Sequence, residues 1–134
     1  MQLKDGIYSH LSSQAGLAAL VGTRIYPGIK GKNAAAGPYV VFQTASDHTQ
    51  YAMGTDIGVR RALIDVSAWA TTLPAADDVA DQIEAALNGQ RKVTWGGAGG
   101  VVIQTVYLVD RSDIHDPTTE QHGVVVEAEV IYET

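Results

Sequence analysis

Residues 59–89, VRRALIDVSAWATTLPAADDVADQIEAALNG, carry two hydrophobic periods in succession and decide the fold class. In the first part Ala62, Ile64, Val66, Ala68 and Ala70 alternate with Arg61, Leu63, Asp65, Ser67 and Trp69. That period of two belongs to a strand with one apolar and one mixed face. In the second part Ala76, Val79, Ala80, Ile83, Ala86 and Leu87 recur at i, i+3, i+4 and i+7, the stripe of an amphipathic helix. Thr72 suits the N-cap, Pro74 the first turn and Asn88-Gly89 the left-handed C-terminal cap. Asp77, Asp78 and Asp81 bring negative charge toward the positive end of the helix dipole.

Upstream of this unit, residues 39–46 (YVVFQTAS) are β-branched and aromatic and follow Gly-Pro, which predicts a strand. Residues 46–58 (SDHTQYAMGTDIG) read as a polar loop, so the two strands form a hairpin whose tip projects beyond the sheet. Residues 24–38, RIYPGIKGKNAAAGP, have no period and read as a long connection. At the N-terminus Leu3, Ile7, Leu11, Ala15 and Ala18 mark a helix face, with Ser12 and Ser13 placed to cap a second helical piece ending near Val21-Gly22.

Downstream, RKVTW (91–95) is a short candidate strand, and the glycine tract 96–100 reads as a turn. A strong strand covers 101–109, the polar stretch 110–123 reads as a connection, and the last strand covers 124–133. In it Val124, Val126, Ala128, Val130 and Tyr132 share one face, opposite Glu127, Glu129 and Glu133. The main elements run α-β-β-α-β-β. The expected fold is α+β, a mainly antiparallel four-stranded sheet with one face packed on two helices, in one domain over residues 1–134.

Composition restricts the function. The 134 residues are 46% hydrophobic and 18% charged, as in a globular domain. Mean hydropathy is +0.00, and no run approaches the length of a membrane span. Lys4, Asp5, Ser9 and His10 stand where a signal peptide needs apolar residues, so a soluble, unprocessed product is expected. The formal net charge of −6 disfavours tight non-specific DNA binding. No cysteine is present, which excludes disulfides, thiolate metal sites and a cysteine nucleophile. Charge is uneven: residues 1–72 sum to +2 and 73–134 to −8, a polarity that can orient a subunit against its partners.

Candidate chemistry is sparse. Asp110, Asp113, His115 and Asp116 concentrate metal-type ligands and support the alternative of a small metal-dependent enzyme using the 110–116 loop. The segment lacks the spacing of a calcium loop, however, and Asp116-Pro117 reads as a turn start. The glycine tract lacks the Gly-Lys-Ser/Thr of a phosphate loop, and the four histidines share no ligand spacing. No catalytic, cofactor or metal residue is therefore assigned. Trp69 and Tyr107 read as sheet packing. Tyr26-Pro27 and Tyr51, in predicted loops, are the aromatic sites suited to an interface.

Several segments in order, GLAALVGTRIYPG (16–28), PYVVFQ (38–43), the strand ending VSAWA (66–70), the helix ending ALNG, Asp110-Arg111 with Asp113, and Asp116-Pro117, resemble the tail-completion or tail-terminator proteins of long-tailed bacteriophages and gene-transfer particles. The resemblance implies a structural virion protein: a ring, commonly of six copies, on the head-proximal end of the tail tube. There it would stop tube polymerisation and meet the head-completion or neck proteins, while DNA passes through without sequence-specific binding. It implies synthesis in the host cytoplasm and incorporation into the tail or neck. Other head–tail joining or minor tail roles belong to the same class. On this reading the interface candidates are Arg24, Tyr26, Pro27, Ile29, Lys30, Lys32, Tyr51, Met53, Asp110, Arg111 and Asp113. Ile29, Tyr51 and Met53 are apolar enough to anchor, and Lys30 and Lys32 suit acidic neighbours.

Overall fold

The computed structural model describes residues 2–28 and 37–133. Three helices, α1 (Leu3–Ser12), α2 (Ala15–Val21) and α3 (Leu73–Leu87), accompany six strands: β1 (Ile25–Pro27), β2 (Tyr39–Ala52), β3 (Thr55–Ala70), β4 (Arg91–Trp95), β5 (Val101–Asp116) and β6 (Gln121–Glu133). The strands form one sheet in the order β1-β2-β3-β6-β5-β4, in which β1 pairs parallel to β2 and every other pair is antiparallel.

The expectation of four strands and two helices is corrected on three counts. First, residues 25–27 are a strand inside the stretch read as a connection. Ile25 is buried beneath the helices, but three residues are too few to display a period. Second, the helices number three, because the N-terminal segment is two helices, as the second piece read there implies, divided at Ser13-Gln14, where the Ser13 hydroxyl donates to the His10 carbonyl at 2.7 Å. Gln14, not a serine, is the N-cap of α2. Third, β4 is a full member of the sheet, with Trp95 opposite Val101. The fold is mostly β.

Both loops predicted at 46–58 and 110–123 are also corrected, because they are paired strands. Asp47 lies opposite Ala62, Thr49 opposite Arg60 and Ala52 opposite Thr55. Only Met53-Gly54 turns, with φ of 51° and 82°. Two successive left-handed residues are what a two-residue hairpin needs to match strand twist. Likewise Arg111 lies opposite Val126 and Asp116 opposite Gln121, leaving residues 117–120 as the turn. The carboxylate of Asp116 accepts the Thr118 N–H at 2.9 Å, and that bond holds its pKa below the ordinary value.

The core fills one side of the sheet. Leu3, Ile7 and Leu11 of α1, Leu17 and Val21 of α2, and the Ala76/Val79/Ala80/Ile83/Leu87 stripe of α3 meet Val40, Phe42, Ile64, Val66, Val126 and Val130. Each large apolar side chain buried this way contributes about 1.5–3 kcal/mol. No polar or charged residue is buried among the described residues, so the core is held by apolar contact alone.

His10 is the titratable group that reports on this packing. Its ring stacks on Trp95 at 4.6 Å, and Nε2 lies 2.7 Å from the Ala86 carbonyl, to which it donates. Burial lowers its pKa below the ordinary 6.5, and the bond to Ala86 opposes this only in part. Below that value the unfolded chain takes up the proton while the folded one resists, so stability attached to His10 is present above pH 6.5 and lost as pH falls. Urea midpoints at about pH 7.5 and 5.5 should fall more for the wild type than for His10→Gln. Equal falls would show that His10 is not linked to folding.

Candidate functional site

Alternation along β5 separates the acidic cluster that suggested a metal. Asp110, Ser112 and Ile114 pair opposite Glu127, Val125 and Gly123 and point to the helix-free face. Arg111 and Asp113 pair opposite the buried Val126 and Val124 and point to the helix side. Among the described residues no three His, Asp or Glu side chains gather as a metal site. The residues that suggested a metal-dependent enzyme are thus dispersed by strand geometry.

What the sheet brings together instead is an acidic row on its open face. Gln43 lies opposite Asp65, Asp65 opposite Glu127, and Glu127 opposite Asp110, so three adjacent strands carry carboxylates in register. Like charges directly opposite are destabilising. Arg61 relieves the next row by reaching Glu129 at 3.2 Å. At the lower end of the same face Tyr39 stacks on Trp69 at 6.3 Å, with Tyr26 beside it at 6.1 Å.

The two long hairpins project from opposite ends of the sheet. At the β2–β3 tip Tyr51 is 67% and Met53 106% exposed, and Ile57 is exposed beside them. Near the base of this arm the Asp47 carboxylate accepts from Tyr132 Oη at 2.6 Å and from Arg60 Nε at 3.0 Å. Burial and the bond to Asp47 push the Tyr132 phenol up to about 12. On the other hairpin Tyr107, Leu108, Val109 and Ile114 of β5 are exposed. Tyr107 was expected to pack within the sheet; at 57% exposure it does not, because no element covers its face.

A family model, "Tail completion protein gp17", matches residues 5–133. The chain belongs to the tail completion protein gp17 family. A chain from a solved structure, "Virion of native gene transfer agent (GTA) particle", has the same fold with a TM-score of 0.72 at 20% identity, over 98% of this chain and 95% of that one. Among proteins with curated descriptions none matches. Membership of the gp17 family gives the chain a structural role in a phage-type tail.

Within this tail-completion chain the interface candidates divide by surroundings. Arg24 braces the ends of the 24–38 connection: Nε donates to the Pro38 carbonyl at 2.8 Å, and a second nitrogen reaches the Leu20 carbonyl. Tyr26 is half-buried against Tyr39, while Pro27 is exposed, and both stand in β1 rather than a loop. Tyr51 and Met53 lie at the hairpin tip, and Asp110 and Asp113 are exposed along β5. Ile29, Lys30 and Lys32 fall outside the described residues. Ile57, Val109 and Ile114 were not singled out from the sequence, since isolated apolar residues in polar stretches carry no period.

Arg111 has the fullest set of partners. It meets Asp81 at 2.8 Å, Asp77 at 3.2 Å and Glu84 at 3.4 Å, one face of α3. Asp77 and Asp81 therefore serve less as dipole partners, since they lie beyond the first turn. Hydrogen bonding to Asp81 keeps the guanidinium charged. Arg111→Ala leaves three carboxylates repelling along one helix face and frees β5 from α3, so a loss of about 1–2 kcal/mol is expected by chemical denaturation. Arg111→Lys should recover only part, because one ammonium cannot fork among three acids. Full recovery with lysine would show that charge alone is what matters.

Proposed function

We propose that copies of this chain close into a ring, of six, on the head-proximal end of the tail tube. The ring ends tube polymerisation and offers its other surface to a head-completion or neck protein. The observation that supports this most is the gp17 family match over residues 5–133. The gene-transfer-agent virion chain of the same fold is consistent with it. Its partners are further copies of itself, the major tail-tube protein and a neck protein. It acts as a structural part rather than an enzyme, with no cofactor, and is made in the host cytoplasm before joining the virion. The net charge of −6 and the in-register carboxylates Asp65, Glu127 and Asp110 favour passage of DNA without adhesion.

Particles made without this chain test the reading. Electron micrographs should show DNA-filled heads, unjoined tails and tubes of irregular or excessive length. Normally joined tails would refute it. Tubes of normal length beside unjoined heads would favour a different head–tail joining role.

A further inference from the structure

Among the described residues the sheet has two open edges of matching length. β1 covers β2 only as far as Phe42, so residues 43–52 have no outer partner among them; β4 covers β5 only as far as Thr105, with one further bond from Val106 N to Gln90 O, so 107–116 have none there either. Neither stretch contains the lysine or proline with which exposed edges are usually blunted. Both carry exposed apolar side chains, Tyr51 on one and Tyr107, Val109 and Ile114 on the other.

We infer that the β5 edge of one copy pairs with the β2 edge of the next, making the sheet continuous between neighbouring subunits. This rests on the ring proposed above. Strand directions suit it: β2 and β5 run oppositely within one copy, so copies in the same orientation bring the two edges together antiparallel. The partner is a second copy of this chain, in a head-to-tail contact that closes by rotation.

Charge selects this pairing over β5 against β5. The β5 edge carries Asp110, Asp113 and Asp116, which a two-fold contact would set against themselves. The β2 edge carries one carboxylate, Asp47, which is already held by Arg60 at 3.0 Å and Tyr132 at 2.6 Å, followed by His48, opposite Arg61, and Thr49, opposite Arg60. Bulges interrupt the ladders between Thr44 and Ser46, Thr49 and Tyr51, and Leu108 and Asp110. Continuous pairing is therefore confined to the short run 46–49 against part of 110–116. The two free stretches lie at different heights, offset by about six residues or roughly 20 Å. In a ring, which has no rise, tilted strands absorb such an offset as they do in barrels.

The chain has no cysteine, so introduced pairs report without background. His48→Cys would be combined in turn with Asp110→Cys, Ser112→Cys and Ile114→Cys, all exposed positions. Inside one copy these edges are separated by β3 and β6, about 14 Å, beyond disulfide reach. After mild oxidation of protein assembled on tail tubes, at least one pair should give a denaturant-resistant ladder ending at the ring number. The single-cysteine proteins should remain monomeric on the same gel, and a mixture of two complementary singles should give dimers only. Rings seen by negative stain with no ladder from any pair would overturn the edge contact while leaving the ring intact. Dimers from single-cysteine proteins would overturn it in favour of a two-fold contact. Absence of rings on capped or uncapped tubes would overturn the ring and the edge contact together.

Discussion

Replacing Phe42 by alanine is expected to remove about 3–5 kcal/mol of unfolding free energy, the usual range for a buried phenylalanine. Phe42 is 1% exposed and lies opposite Val66 on one side and Pro27 on the other. It also lines one surface cleft with Lys4, Asp5 and Tyr8 of α1 and Pro27 of β1, where the first helix meets the sheet. Its removal leaves a void that a sheet on one side and a helix on the other cannot close without moving both. Domains of this size hold only about 5–15 kcal/mol in total, so the variant should be marginal at 37 °C. Urea unfolding should show a lower midpoint with an unchanged slope. A loss below about 1 kcal/mol would mean that the site collapses freely.

Gly100→Ala should cost about 2–3 kcal/mol for a different reason. A Cβ at Gly100 would collide with the Trp95 carbonyl oxygen and lie 2.9 Å from the Gly97 carbonyl oxygen. Both obstacles are backbone and cannot swing aside, and Gly100 N already donates to that Gly97 oxygen at 3.0 Å. Relief requires the β4–β5 turn to open, which moves Trp95, 2% exposed and stacked on His10. Gly97→Ala is the comparison: its φ of +72° is strained for alanine, but nothing lies within 4 Å of the added atom. It should lose about 1 kcal/mol. Equal losses at the two positions would attribute the effect to backbone conformation and not to the clash.

The parts of the fold that could be read from sequence are those lying over the helices. In α3 the apolar stripe is buried as its spacing requires, and Thr72 Oγ1 accepts the Ala75 N–H at 3.4 Å as the N-cap. In β3 the alternation from Ala62 to Ala70 is matched by buried and half-buried positions in turn. The arm 47–58 was illegible because it reaches out from the core, and 110–116 because it runs at the sheet margin, where Arg111 and not an apolar side chain meets α3. With no face buried, no alternation is imposed on their residues, and polar strands look like loops. Arg111 shows the corresponding limit for the site. Asp110 and Arg111 are neighbours in sequence but point to opposite faces, and the partners of Arg111 lie on a helix thirty-odd residues earlier. Only the order of strands in the sheet brings them together.

The central position of β6 also has a meaning for the chain as it leaves the ribosome. The β2–β3 and β4–β5 hairpins are synthesised first, and neither touches the other in the ladder; β6 is the strand that fuses them. Until it emerges, the nascent polypeptide exposes the inner edges of β3 and β5 in addition to the outer ones, and is most open to mispairing. Vectorial synthesis thus delays a finished sheet, and with it any ordered encounter between copies, until the last strand has been translated.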